Sequence, residues 1–92
     1  MNRVRRKALA AIVERMAAER EIIESLKEDL ETLKDEEEEY RDNIPENMQQ
    51  SERYERAEEA VEQLEGAVES LESILDALDE ATEAIGEAAG EN

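Results

Sequence analysis

Ninety-two residues, 42% of them charged, with two Tyr, no Phe and no Trp, exclude a thick hydrophobic core and with it a deep enclosed pocket. A formal net charge of -17, with no His and no Cys, excludes disulfide support, the usual nucleophile and base pairs and the common transition-metal sites. Like-charge repulsion also disfavours a direct complex with DNA, RNA or an anionic membrane, so a basic protein is the favoured partner and no cofactor is implied.

The chain begins with a basic stretch, Arg3, Arg5, Arg6 and Lys7, that no apolar run of signal-peptide length follows. No stretch reaches the length of a membrane span, and a cytoplasmic location is the expectation. A first helix is predicted over residues 3–42, built from good helix formers without Gly or Pro. Its apolar seam reads Leu9, Ile12, Met16, Glu19, Ile23, Leu26, Leu30, Leu33, Glu37, Tyr40 and Ile44, at alternating spacings of three and four. Such a narrow stripe is what a partner helix requires.

Punctuation comes at Asn43-Ile44-Pro45-Glu46-Asn47. Asn43 suits the left-handed conformation that ends many helices, and Pro45 pushes Ile44 out of the helical region. Pro45 also suits the opening of a short helical turn through Met48 and Gln49. After the turn, residues 43–51, Ser51 has the chemistry of an N-cap, and Glu52 and Glu55 fall in a first turn where the helix dipole favours negative charge. The second helix is predicted over residues 52–89, with Gly90 as terminator and Gly86 weakening its last turn. Its seam reads Tyr54, Ala57, Val61, Leu64, Val68, Leu71, Leu75, Leu78, Thr82, Ile85 and Ala89.

Folding the two segments back on each other pairs Tyr40 with Tyr54, Leu33 with Val61, Leu26 with Val68 and Leu9 with Ile85. On one flank this register sets Arg20, Lys27, Lys34 and Arg41 against Asp79, Glu72, Glu65 and Glu58. Each exposed pair is worth only about 0.2–1 kcal/mol, so the ladder selects the antiparallel orientation more than it stabilises it. The other flank sets Ala60, Ala67, Ile74, Ala81 and Ala88 against Glu36, Asp29, Ile22, Arg15 and Ala8. One reading is local, with small residues leaving room for the stems of Arg15 and Glu36. The other makes Ala60, Ala67, Ile74 and Ala81 a dimer face, because a lone hairpin of this size buries little. The expected architecture is therefore all-α, one domain over residues 1–92, an antiparallel coiled-coil-like hairpin that dimerises into a four-helix bundle.

Candidate chemistry is sparse. Glu58-Glu59-Ala60-Val61-Glu62 with Asp76-Ala77-Leu78-Asp79 matches the paired acidic motifs of all-helical nucleotide pyrophosphohydrolases, which bind magnesium. Both motifs share one helix, however, and Glu62 and Asp76 lie roughly 21 Å apart along it, which does not suit an octahedral cation. The run Asp35-Glu36-Glu37-Glu38-Glu39 lacks the alternating ligands and glycine of a calcium loop. Glu37 and Glu19 fall on the seam, where polar residues commonly fix register.

The clearest functional signal is an acidic stripe on the second helix, Glu55, Glu62, Glu69, Asp76 and Glu83 at heptad spacing, supplemented by Glu59, Glu80 and Glu87; the plainer reading of the same residues is a solvated face that keeps a coiled coil soluble. Charge is unevenly placed along the chain: residues 1–34 carry eight Lys/Arg against seven Asp/Glu, and residues 35–92 carry three against twenty-one. Between Glu52 and Glu91, fourteen acids and two arginines give a net of -12. That is one charge per ~5 Å of helix, about threefold more dilute than the one per ~1.7 Å of duplex DNA. Only a dimer narrows that gap.

The stretch from Asp35 through Asn43-Ile44-Pro45-Glu46 to Arg53 resembles the turn of small acidic helical-hairpin proteins of phages and mobile elements. The resemblance implies an accessory protein that works by binding, including an inhibitor of a host defence system, and transfers no functional residue. Sequence alone thus points to a non-enzymatic, acidic protein-interaction module. Its alternative is a DNA mimic that occupies a host nucleic-acid-binding defence protein, of the anti-restriction or anti-CRISPR type.

Overall fold

The chain forms an antiparallel helical hairpin. A computed structural model describes residues 1–90; Glu91, included in the acidic count above, and Asn92 lie outside the described residues. Helix α1 spans Arg3–Asp42 and helix α2 spans Glu52–Ala89, joined by a turn that contains a 3₁₀ turn over Glu46–Met48. The product is a rod of 69 × 16 × 15 Å. Among the described residues no helix is long and apolar enough to cross a membrane.

Each helix begins on a polar cap. Asn2 Oδ1 accepts from the Arg5 N–H at 2.8 Å, and Ser51 Oγ accepts from the Tyr54 N–H at 3.3 Å. Both satisfy backbone donors that an α-helix leaves free at its start. The end of α1 differs from the expected left-handed stop. Asn43 sits at φ -86°, ψ -4°, in the right-handed region, and its N–H still donates to the Glu39 carbonyl at 3.0 Å. Termination falls instead to Pro45, whose ring confines Ile44 to extended backbone. The Pro45 carbonyl then accepts from the Met48 N–H at 2.8 Å to start the 3₁₀ turn. Ile44, 4% exposed, plugs the closed end of the hairpin.

The core is a single line. Val61, Val68 and Leu75, seven residues apart on α2, are buried together with Ala57 and Ile44, whereas α1 contributes no fully buried residue. Two helices in contact can cover only one stripe between them, and α1 supplies the cover.

That cover is not the one the seam predicts. Leu9, Met16, Ile23 and Leu30 are half-buried as expected, but Ile12, Leu26, Leu33 and Tyr40 remain 42–54% exposed, and Glu19 is exposed with them. Their places against α2 are taken by Val13, Arg20, Lys27, Lys34 and Arg41, all half-buried. Helix α1 is thus rolled about its axis toward the charge ladder. The cause is visible at Arg20, whose Nε donates to Asp79 Oδ1 at 2.7 Å and whose Nη2 donates to Oδ2 at 3.0 Å. The half-buried Arg20 stem lies against α2 while its guanidinium reaches Asp79.

The ladder itself is closed at one rung. Arg20–Asp79 is the cross-helix ion pair among the described residues; Lys34 and Arg41 instead meet their chain neighbours Asp35 and Asp42 at 3.0 Å. The hydrogen bond to Asp35 raises the Lys34 pKa above the ordinary lysine value, and Glu65 across the hairpin adds a weaker push in the same direction. The Arg20–Asp79 rung has the predicted register, and the open end agrees with it, since Arg6 Nε donates to the Ala89 carbonyl at 3.0 Å.

Three substitutions test this packing in urea unfolding. Leu75→Ala should cost about 2–4 kcal/mol, because it empties a site in a core one residue wide. A Cβ built at Gly66 or Gly86 meets no atom within 4 Å. Gly66→Ala and Gly86→Ala should therefore each stabilise the hairpin by about 0.5–1 kcal/mol through helix propensity alone. The pH dependence of Asp79→Asn tests the rung. Its hydrogen bond to Arg20 holds the Asp79 carboxyl below the ordinary aspartate value. A depressed folded pKa gives stability that is complete above the unfolded value and lost as pH falls through the folded one. The melting difference between wild type and Asp79→Asn should accordingly shrink in acid, below the usual aspartate range; a difference constant down to pH 2 would separate the pair from stability.

Candidate functional site

Helix α2 is two-faced along most of its length. With the heptad lettered so that Val61, Val68 and Leu75 stand at position a, the eleven acids between Ala57 and Ala89 all fall at b, e or f. Positions a, c, d and g over the same span hold no charged residue. A hairpin partner occupies a and d and touches one flank. The uncharged sector is therefore wider than α1 needs.

The acidic edge brings the predicted stripe together. Glu55, Glu62, Glu69, Asp76 and Glu83 at b, with Glu59 and Glu80 at f, are all exposed, and Glu69 borders a hollow with Glu31 and Lys34 of α1. Among the described residues none of the seven takes part in an ion pair. Backbone rise sets successive b carboxylates about 10.5 Å apart, a spacing suited to successive basic side chains and too long for shared coordination of one ion. Consistent with that spacing, no three acidic side chains converge on one point among the described residues. At the turn, Arg56 pairs with Glu52, and both border a hollow with Glu37, Tyr40, Arg53 and Ala57. Seam residue Glu37 thus faces Ala57 and lies near Arg56, as the register requires.

The uncharged face is wider than sequence reasoning proposed. Of the four residues assigned to a dimer face, Ala60 and Ala67 are half-buried beside α1, whereas Ala81 is exposed and Ile74 is 44% exposed. Next to them on α2 lie Gln63, Ser70, Ala77 and Ala84 at c, all exposed. Across the groove the roll of α1 presents Ile12, Leu26, Leu33 and Tyr40, joined by Ile22 at 55% exposure. Ile12, Arg15, Met16 and Glu19 of α1 share one hollow on this side with Leu78 of α2. The seam assignment hid these α1 residues by spending them on the hairpin contact. The absence of charge at the c positions between Ala57 and Ala89 was the sequence signal that the uncharged sector of α2 extends beyond the flank of α1.

Comparison with known proteins brings no matching family model, and no matching curated protein or solved structure.

Proposed function

We propose that this chain is a non-enzymatic, acidic protein-interaction module, an accessory protein of the phage and mobile-element type, whose acidic edge binds a basic protein while its uncharged face pairs two hairpins into a four-helix bundle. The observation that carries this reading is the segregation of α2: seven exposed, unpaired carboxylates on one edge, and between Ala57 and Ala89 no charge at the c and g positions that point the other way. Acids placed only to keep a rod dispersed would be free to occupy the c and g positions as well. Their confinement to one edge favours a partner that reads them. The exposed edge also keeps its hydration until it is bound, so association is fast and salt-sensitive.

A second reading draws on the same edge. Pairing of two hairpins sets two such rows on one particle, which narrows the charge-density gap to duplex DNA and favours occupation of a nucleic-acid-binding defence protein. The two readings share the surface and differ in the partner.

Affinity capture from a bacterial host tests the edge. Wild type and Glu62→Gln/Glu69→Gln/Asp76→Asn are used as matched baits at low and high salt. The expected result is a basic partner released by high salt and lost with the triple variant; a nuclease or other DNA-binding protein in that fraction selects the mimic. Recovery of the same partner by the triple variant, or loss of it only when Glu58, Glu65 and Glu72 of the ladder are neutralised, would remove the edge from function.

A further inference from the structure

We infer that two copies of this chain pair through the face that joins the line of Ile22 on α1 to the uncharged c and g positions of α2, with their turns at opposite ends, about a two-fold axis that passes beside Ile22. This deepens the proposed function by fixing how the bundle is assembled, and it rests on α1 rather than on the alanine stripe alone. The exposed face is large enough. A side of 69 by 16 Å offers roughly 1,000 Å² per protomer, against the ~800 Å² that a standard interface buries on each partner.

Only two two-fold arrangements stack these hairpins face to face. If the turns share an end, α1 lies over the second copy's α2, and Arg15, Asp29 and Glu36 fall against Ala81, Ala67 and Ala60. Arg15 and Asp29 then enter a close helix contact without partners, which is costly, whereas Glu36 meets an alanine, Ala60 or Ala8, in either arrangement. If the turns lie at opposite ends, α1 lies antiparallel on the second copy's α1; residues in line with Ile22 meet the one equally far on the other side of the axis, and residues on either flank meet partners offset by one position.

Centred on Ile22, the sequence of α1 is complementary to its own reverse. Ile22 meets Ile22 of the second copy. Arg15, seven residues before the axis, meets Asp29, seven residues after it, and the contact is made twice by symmetry. On the inner flank Ile12 faces Leu33 and Arg5 faces the ring of Tyr40, an arrangement that suits a guanidinium over an aromatic face. On the outer flank Ala11 and Ala18 meet Thr32 and Ser25, small residues that let the two backbones approach. Glu19 meets Leu26, and it already shares a hollow with Arg15, so its charge joins the Arg15–Asp29 cluster. The two copies of α2 then meet through c, d and g positions, which carry no charge between Ala57 and Ala89, and both acidic edges stay on the outside.

The chain has no cysteine, so one introduced thiol reads the axis directly. Ile22→Cys should form a disulfide-linked dimer under mild oxidation, because only a residue beside the two-fold meets its own copy. A mixture of Ile22→Cys with Ile74→Cys should give the symmetric 22–22 and 74–74 products, since Ile74 stands level with Ile22 beside the same axis. Dominance of the 22–74 product would overturn the proposed axis in favour of turns at one end. In sedimentation equilibrium, Arg15→Asp and Asp29→Arg should each weaken the dimer about tenfold or more, and the double exchange should restore it, since the pair is rebuilt with its signs reversed. Wild type that sediments as a monomer at micromolar concentration, or a double exchange no better than the singles, would overturn the pairing. Neither result touches the acidic edge, whose partner capture is read separately.

Discussion

Everything in this molecule follows from how little two helices can hide from water. Val61, Val68 and Leu75 form a core one residue wide, and no side chain of α1 is fully enclosed in return. A hairpin of this kind gains stability along its length rather than in depth, from repeated small contributions over 40 and 38 helical residues. Caps, ladder and turn therefore matter more here than in a globular domain, where a thick core would absorb the loss of any one of them.

Within that constraint, the roll of α1 decides what the molecule displays. Basic residues stand one position past the apolar seam at Arg20, Lys27, Lys34 and Arg41, all half-buried, and Asp79 of α2 holds Arg20 across the contact. Their methylene stems are apolar enough to cover Val68 and Leu75, so the covering task passes from leucines to the stems of charged residues. Leu26 and Leu33 are released to the surface as a result. The same electrostatic asymmetry thus favours the antiparallel register and leaves Leu26 and Leu33 at the surface.

Much of this was legible in the sequence because it is written at heptad spacing. Both helices, the Pro45 turn, the Ser51 cap, the antiparallel register and the Arg20–Asp79 rung can be read without coordinates, since each depends on local chemistry or on charges that match in one orientation. The acidic edge is equally plain from Glu55, Glu62, Glu69, Asp76 and Glu83. What sequence could not give was the rotation of α1. Leu26 and Lys27 are adjacent, and a period of three and four admits either line as the seam; the choice rests on tertiary electrostatics that no single helix contains. Asn43 shows the same limit at smaller scale. Its residue type permits a left-handed stop, and the neighbouring Ile44-Pro45 pair settles the matter otherwise.

The register also decides what light can report about this chain. Tyr40 and Tyr54 are its whole complement of aromatic residues, and the hairpin brings both to the turn. Intrinsic absorbance and fluorescence therefore observe one end of a rod 69 Å long. At the other end, where Arg3 and Ala89 begin and end their helices, strands of the hairpin can part without any change in tyrosine environment. Fraying there is visible to backbone methods alone, and a tyrosine signal measures the zipper at its clasp.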